Sequence, residues 1–247
     1  MYSNPIPGSL SPQQVWFFRH AGYLRVGNAI PKERLLWLRE VIDDLLRGGR
    51  APCERSSSGR VVRISDLASR DPGLLEEFSS PAIVDPLESL LGPNIDFVRN
   101  RHNHATVAVE PSYRSRLHRD ILQWSRNIVS VIVYLDDCTE TRSATRVIPG
   151  SQLVALVGTP NNGGTWMDEH DIYADIMYQW VPVPATAGDL LLLDGLVFHA
   201  GGLGSDRNPR RVITLAYTSV DELLQDEDLR SRILVRGQRI YRGGSFS

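Results

Sequence analysis

The chain has 247 residues, 42% hydrophobic and 23% charged, the balance of an ordinary globular protein long enough for one sizeable core. Lys and Arg total 27 against 29 Asp and Glu, a net charge of -2, which leaves no general electrostatic reason to bind nucleic acid or an anionic membrane and favours a small-molecule partner. No apolar run approaches a bilayer-spanning length, and Cys53 and Cys138 stand far apart outside any CxxC pattern, so neither a membrane anchor, a disulfide framework nor a zinc site is expected.

The opening Met1-Tyr-Ser-Asn-Pro-Ile-Pro-Gly has no basic or apolar secretory character, and the expected compartment is the reducing cytoplasm. Ser11-Pro12 reads as N-cap and first residue of a short helix closed by Gly22, and Tyr23 to Val26 as extended. A second helix from about Pro31 carries Leu35, Leu38, Val41, Ile42 and Leu45 on one face and stops at Gly48-Gly49. Residues 51–70, rich in Ser, Arg and Gly, read as a loop, with the Arg-rich part Glu54 to Arg63 and His20 at the surface. Asp71-Pro72 opens a helical stretch to Leu91-Gly92, broken near Pro81.

From Asn94 the texture changes to strands: Phe97 to Val109, Ile128 to Leu135, Thr145 to Ile148, Trp180 to Val183, Leu190 to Leu193 and Val212 to Thr218. Helices followed by a run of strands predict a mainly β, α+β architecture: one domain over 1–247, a helical part 11–92 packed on an antiparallel β core 94–220. No repeat, GxGxxG or P-loop pattern supports a nucleotide-binding fold.

The chemistry-bearing signal is His118-Arg119-Asp120, with His199 later in the chain. In a strand, residues i and i+2 share a face, so His118 and Asp120 can meet one ion while Arg119 points away. Two imidazoles and one carboxylate form the facial triad of non-haem Fe(II) oxygenases, which leaves positions open for cosubstrate and O2. An HxD triplet alone is a weak motif, but His199 follows the Gly188-Asp189 turn and an apolar strand and precedes Ala-Gly-Gly, where missing side chains leave room. Arg210 comes next; in a hairpin with the His199 strand it would lie within a small diacid's length of the metal, and a guanidinium fork suits a carboxylate. Alternation puts Arg210, Val212, Thr214 and Ala216 on the pocket face and Arg211, Ile213, Leu215 and Tyr217 on the other, an order that a bulge would swap.

These motifs resemble the phytanoyl-CoA hydroxylase family of Fe(II)/2-oxoglutarate dioxygenases. The family's order of HxD, apolar strand, Pro-Gly turn, Gly-Asp strand, distal His and Arg appears here as His118-Arg-Asp120, Ile128 to Leu135, Ala144 to Ser151, Gly188-Asp189, His199 and Arg210, and Phe18 to Leu24 is similar to the family's opening. The resemblance implies a double-stranded β-helix (jelly roll), Fe(II) on the triad, 2-oxoglutarate with its far carboxylate on Arg210 and Thr214 beside it, and O2 as oxidant. Its outcomes include hydroxylation, ring closure, desaturation and epimerisation. The turn here ends in Gln152 where the family commonly has His, and Thr141-Arg142-Ser143 replaces Glu-Asn-Gly. Asp120 argues against halogenation, for which the resemblance implies a small residue in place of the carboxylate.

Substrate contacts are assigned more loosely. Leu153 to Val181 is long and holds Trp166, Met167, His170, Tyr173, Tyr178 and Trp180; it reads equally as a lid over a ring-containing substrate, to which Trp166 and Tyr178 would contribute, and as a packed insertion. Trp124, His102 and His104 are pocket candidates, with packing or a buried hydrogen-bonded histidine as the plain alternative. The absence of a basic patch for a CoA phosphate favours a secondary metabolite such as an antibiotic precursor. Two other classes stay open: a 2-oxoglutarate-independent cupin-type metalloenzyme, which has no need of Arg210, and a catalytically silent ligand-binding module, against which the intact triad speaks.

Overall fold

Strands that are almost continuously apolar need cover on both faces, and two such runs, Ile128–Tyr134 and Leu190–Leu193, lie side by side in this protein. The computed structural model describes residues 8–108, 116–121, 127–140, 143–154, 166–202, 210–222 and 231–239. Among them are β1 (Tyr23–Val26), β2 (Cys53–Arg55), β3 (Val61–Ser65), β4 (Ile95–Val98), β5 (His104–Ala108), β6 (Ile128–Tyr134), β7 (Thr145–Val147), β8 (Val181–Val183), β9 (Leu190–Asp194), β10 (His199–Ala200), β11 (Arg210–Ser219) and β12 (Arg232–Arg236). The large sheet runs β1-β9-β6-β11-β5-β3-β2, with β4 beside β11 and β12 beside β4; the small sheet runs β10-β7-β8, and every strand pair is antiparallel.

Period-two alternation divides the apolar runs between two compartments. Val129, Val131, Val133, Leu190, Leu192, Ile213, Leu215 and Tyr217 face outward into a core shared with the helices α1 (Pro12–Ala21), α2 (Lys32–Gly48), α3 (Pro72–Phe78) and α4 (Pro81–Leu91). Ile132, Tyr134, Leu191, Leu193 and Val212 face inward and pack with Val147 and Val183 of the small sheet. Two facing antiparallel sheets with helices on one outer face make the jelly roll. No helix among the described residues is long and apolar enough to cross a membrane, and both cysteines are free.

The helices start and stop where their caps require. Ser11 Oγ accepts from the Gln14 amide while Gln14 Oε1 accepts from the Ser11 amide, and Gly22, at φ 79°, ends α1. Gln152 joins this end to the site: its Nε2 donates to the carbonyls of Arg19 and His20, two of the last in α1. The residue standing where the resemblance implies His therefore ties the Pro-Gly turn to a helix terminus.

Several sequence expectations need correction. Residues 51–70 include the β2–β3 hairpin and a 3-10 turn, Leu67–Ser69, because β3 pairs with β5 and extends the sheet edge. The expected strand from Phe97 is two, interrupted at 99–103, where His102 has φ 48°. His199 and Arg210 are not partners in a hairpin: β10 belongs to the small sheet and β11 to the large one, so they approach each other across the sandwich. β12 was not signalled by alternation; it is pinned by charge, with Arg232 and Arg239 paired to the fully buried Asp96.

Candidate active site

His118 and Asp120 lie in extended backbone without belonging to a regular strand. His118 makes an isolated antiparallel bridge with His199, N–H to carbonyl at 2.9 Å in both directions, and the amides of Asp120 and Ile121 both donate to the Gly195 carbonyl at 3.0 and 3.1 Å. The HxD segment is thus sewn along the chain that carries His199. One nitrogen from each imidazole and one Asp120 oxygen all fall within 4.8 Å of one another. Asp120 Oδ1 is 3.6 Å from His199 Nε2 and 3.9 Å from His118 Nε2.

Local hydrogen bonds set both imidazoles for ligation. His118 Nδ1 lies 3.0 Å from the Arg116 carbonyl and His199 Nδ1 3.1 Å from the Val197 carbonyl. A carbonyl only accepts, so each Nδ1 carries the proton and each Nε2 keeps its lone pair for the facing cluster. Burial and, next, the adjacent His199 hold His118 down at about 4, so it is neutral at physiological pH, as a ligand must be. Burial by itself would raise the Asp120 carboxyl; the surrounding His102, His199 and His118 outweigh it and hold the group well below the usual carboxylate range.

Arg119 points away from the cluster but not to solvent. It is 2% exposed, donates to Tyr173 Oη, the Ser151 carbonyl and the Val154 carbonyl, and stacks over Phe198. The segment read as lid or insertion is fastened beside it where it is described: Met167 N donates to the Leu117 carbonyl, Arg116 forks onto Asp168, and Met167 and Tyr173 are buried with Ile148 and Phe198. Residues 166–177 are therefore packed down on the HxD segment; residues 155–165 lie outside the described residues.

The cluster opens on a cavity of about 420 Å³. Arg210, Val212 and Thr214 of β11 line it, whereas Arg211 faces the other way into a fork with Asp136 and an ion pair with Asp43, which push its guanidinium pKa up. Arg210 is 5% exposed. Its Nη2 donates to Thr145 Oγ1 on the opposite sheet at 2.7 Å, and Thr145 also bonds Tyr134 Oη. Its Nε is buried with no hydrogen-bond partner, and among the described residues no carboxylate pairs with it. A guanidinium is always charged and a buried charge needs a counterion, so this end of the cavity has the chemistry to receive a carboxylate.

His104 and Trp166 line the other part of the cavity, and His102 lines it while its Nε2 sits 2.9 Å from Asp120 Oδ1. His104 Nδ1 accepts from Arg63 at 3.1 Å, and the Trp166 ring lies 5.1 Å from that of His118. Tyr178 does not belong here: it is 81% exposed and lines no part of the cavity, since Tyr173, Ile176 and Met177 take the inward positions of that segment. Trp124 lies outside the described residues. Gly201 and Gly202 both line the cavity, and a Cβ on Gly202 would in addition overlap the Ser143 carbonyl.

Sequence reasoning missed Glu54, Arg55 and Arg63, which the β2–β3 hairpin brings to the cavity, and Ser130 and Thr145. Ser130 left a signal: a lone polar residue in the apolar run Ile128–Tyr134, in phase with Ile132 and Tyr134. Its Oγ donates to Asp120 Oδ2 at 2.6 Å.

The sequence and the fold have counterparts among known proteins. The chain is 29% identical over 171 residues to a dioxygenase, af480, of Aspergillus fumigatus; the match takes in 66% of this chain and half the length of that relative. The fold is that of the epimerase SnoN in complex with Fe3+, alpha-ketoglutarate and nogalamycin RO (TM-score 0.70, 18% identity, 92% of this chain and 96% of that one). It is also that of EctD from S. alaskensis with 2-oxoglutarate and 5-hydroxyectoine (TM-score 0.71, 17% identity, 91% and 81%). HygX from Streptomyces hygroscopicus, with nickel, 2-oxoglutarate and hygromycin B bound, is similar at TM-score 0.63, with 13% identity and 85% and 88% of the two chains covered. The family model for phytanoyl-CoA dioxygenase (PhyH) matches residues 18–212, from α1 through β11 and across every residue of the cluster and Arg210, and the chain belongs to that family.

Proposed function

We propose that the protein is an Fe(II)- and 2-oxoglutarate-dependent oxygenase of a small molecule, with His118, Asp120 and His199 holding the iron and Arg210 the far carboxylate of 2-oxoglutarate. The observation that carries this reading is the pairing, in one cavity, of a two-histidine, one-carboxylate cluster with a buried guanidinium whose Nε has no partner among the described residues. Three protein ligands on one side suit Fe(II) with positions left for cosubstrate and O2. A cupin-type enzyme that does not use 2-oxoglutarate has no use for a buried Arg210 that, among the described residues, no carboxylate pairs with.

When bound, iron and 2-oxoglutarate supply the oxidative chemistry, coupling decarboxylation of the cosubstrate to succinate with two-electron oxidation of the substrate. The chain's own residues bind and orient. His118 and His199 present Nε2 lone pairs fixed by their Nδ1 hydrogen bonds, and Thr145 holds the Arg210 fork by accepting from Nη2. Thr214 and Val212 flank Arg210 on the same face. His104 and Trp166 would form part of the substrate wall, and their hydrogen-bonding and aromatic character suits a polar ring-bearing molecule. We favour a natural product over an acyl-CoA: SnoN and HygX have been crystallised with nogalamycin RO and hygromycin B, and the sequence has no basic patch for a CoA phosphate. A cytoplasmic location fits this use.

The test is anaerobic titration of metal-free protein with Fe(II) and then 2-oxoglutarate. One Fe(II) per chain is expected, with a visible charge-transfer absorption that grows on adding 2-oxoglutarate; His118→Ala, Asp120→Ala and His199→Ala should each abolish it. Iron binding at full stoichiometry in any of the three would remove the triad assignment.

A further inference from the structure

The carboxylate of Asp120 is held at both ends. Ser130 Oγ takes Oδ2 at 2.6 Å, and His102 Nε2 lies 2.9 Å from Oδ1, the oxygen that is also within 4 Å of both His118 Nε2 and His199 Nε2. A carboxylate has about four lone-pair sites, two on each oxygen. With one hydrogen bond on each oxygen, each keeps a lone pair, but it is Oδ1 that faces the two ligand Nε2 atoms, and two-oxygen chelation would have to distort the short bond on Oδ2.

The segment carrying His102 is built for this contact. His102 adopts φ 48°, a left-handed conformation that residues other than Gly adopt only where the surroundings impose it, His being among the less averse. Here they do. Asn103, itself buried, accepts from the Ala68 amide and donates to Asp66 Oδ1 and the Arg99 carbonyl. Arg101, one residue before His102, donates to the backbone carbonyl of Asp120 at 2.6 Å. Neighbouring residues 101 and 102 thus grip the same aspartate, one by its main chain and one by its side chain.

We infer that His102 is a positioning residue for the metal centre: its Nε2–H donates to Asp120 Oδ1 and, with Ser130, restricts Asp120 to ligation through one oxygen, preserving the open positions the reaction needs. This rests on the triad reading proposed above. It changes the place of His102 from a candidate substrate contact to a partner of a ligand.

The test measures Fe(II) affinity under anaerobic conditions, by competition with a chelator, in wild-type protein and in His102→Gln, His102→Leu, His102→Gly and Asp120→Ala, with the melting temperature of each metal-free protein taken in parallel. Loss of a hydrogen-bond partner to a metal ligand commonly lowers affinity by about 10- to 100-fold, and that loss is expected for His102→Leu and His102→Gly. The glutamine variant can present its amide nitrogen near the position of Nε2 and should recover most of the affinity. Glycine accommodates φ 48° without a Cβ, so His102→Gly should melt close to wild type while binding iron weakly, a separation that a merely structural role would not produce. Wild-type affinity in both His102→Leu and His102→Gly, with Asp120→Ala abolished, would overturn the role of His102 and leave the triad standing. Undiminished binding in Asp120→Ala would remove the triad reading and this inference with it.

Discussion

Arg210 and Arg211 are adjacent and chemically identical, yet their surroundings differ in kind. Arg211 has two carboxylates, Asp136 and Asp43, at 2.7 to 2.9 Å, whereas Arg210 is buried with the Thr145 hydroxyl accepting from its Nη2 and a tyrosine ring beneath it. Arg210→Ala should therefore leave Fe(II) bound and weaken 2-oxoglutarate binding at least thirty-fold, since truncating one side of a buried charge pair commonly costs about 2–5 kcal/mol. Arg211→Ala should change 2-oxoglutarate binding little and lower the melting temperature instead. Isothermal titration of the iron-loaded variants under anaerobic conditions distinguishes them, and the reverse order would put the clamp on the wrong arginine. Strand alternation alone distributes these two, because β11 pairs without a register break along Arg210–Thr218. The clustering of His118, Asp120 and His199 was legible from its spacing and its neighbours. His102 beside Asp120 was not, because a positive φ and an interrupted strand break the parity on which such reasoning depends.

At the scale of elements, the HxD segment is a fastening point as well as a ligand carrier. Arg119 holds three acceptors from residues 151–173, so the ligands and the described part of the long segment share one buried side chain. Hydrogen bonds from a charged donor are worth roughly 1.5–3 kcal/mol each, and Arg119→Met should lose several kcal/mol of stability. It should also expose residues 166–181 to cleavage. This stretch contains no Lys or Arg, so chymotrypsin is the suitable probe, with fragments identified by mass. Wild-type protein should resist at Tyr173, which is 1% exposed, and the variant should be cut there; equal resistance in both would deny Arg119 its fastening role. The sequence left lid and packed insertion equally open because its aromatic residues carry no period. Burial gives the segment's described part an inside and an outside: Met167 and Tyr173 point in, while Ile172 and Tyr178 point out. The β2–β3 hairpin was illegible for a related reason. Its strands are short, half-exposed and rich in Arg and Ser, and they exist because β5 offers an edge, which is tertiary information.

For the whole molecule, the order of elements carried most of the architecture: helices first, then strands whose continuous apolar runs demanded burial on both faces. What the order could not give was the division of the strands between two sheets. That division puts His199 and Arg210 on opposite walls, so the distance across the cavity between the His118–Asp120–His199 cluster and Arg210 is set by sheet packing and not by a hairpin turn. A site assembled this way depends on the sandwich as a unit. The most direct test of an iron- and 2-oxoglutarate-dependent oxygenase is succinate formation by iron-loaded protein in air, measured against 2-oxoglutarate concentration with and without a panel of natural-product scaffolds. We expect saturable succinate release that needs both Fe(II) and O2, is stimulated by at least one scaffold, and is lost in Asp120→Ala. Oxidation of a scaffold by iron-loaded protein with no requirement for 2-oxoglutarate and no succinate formed would contradict it.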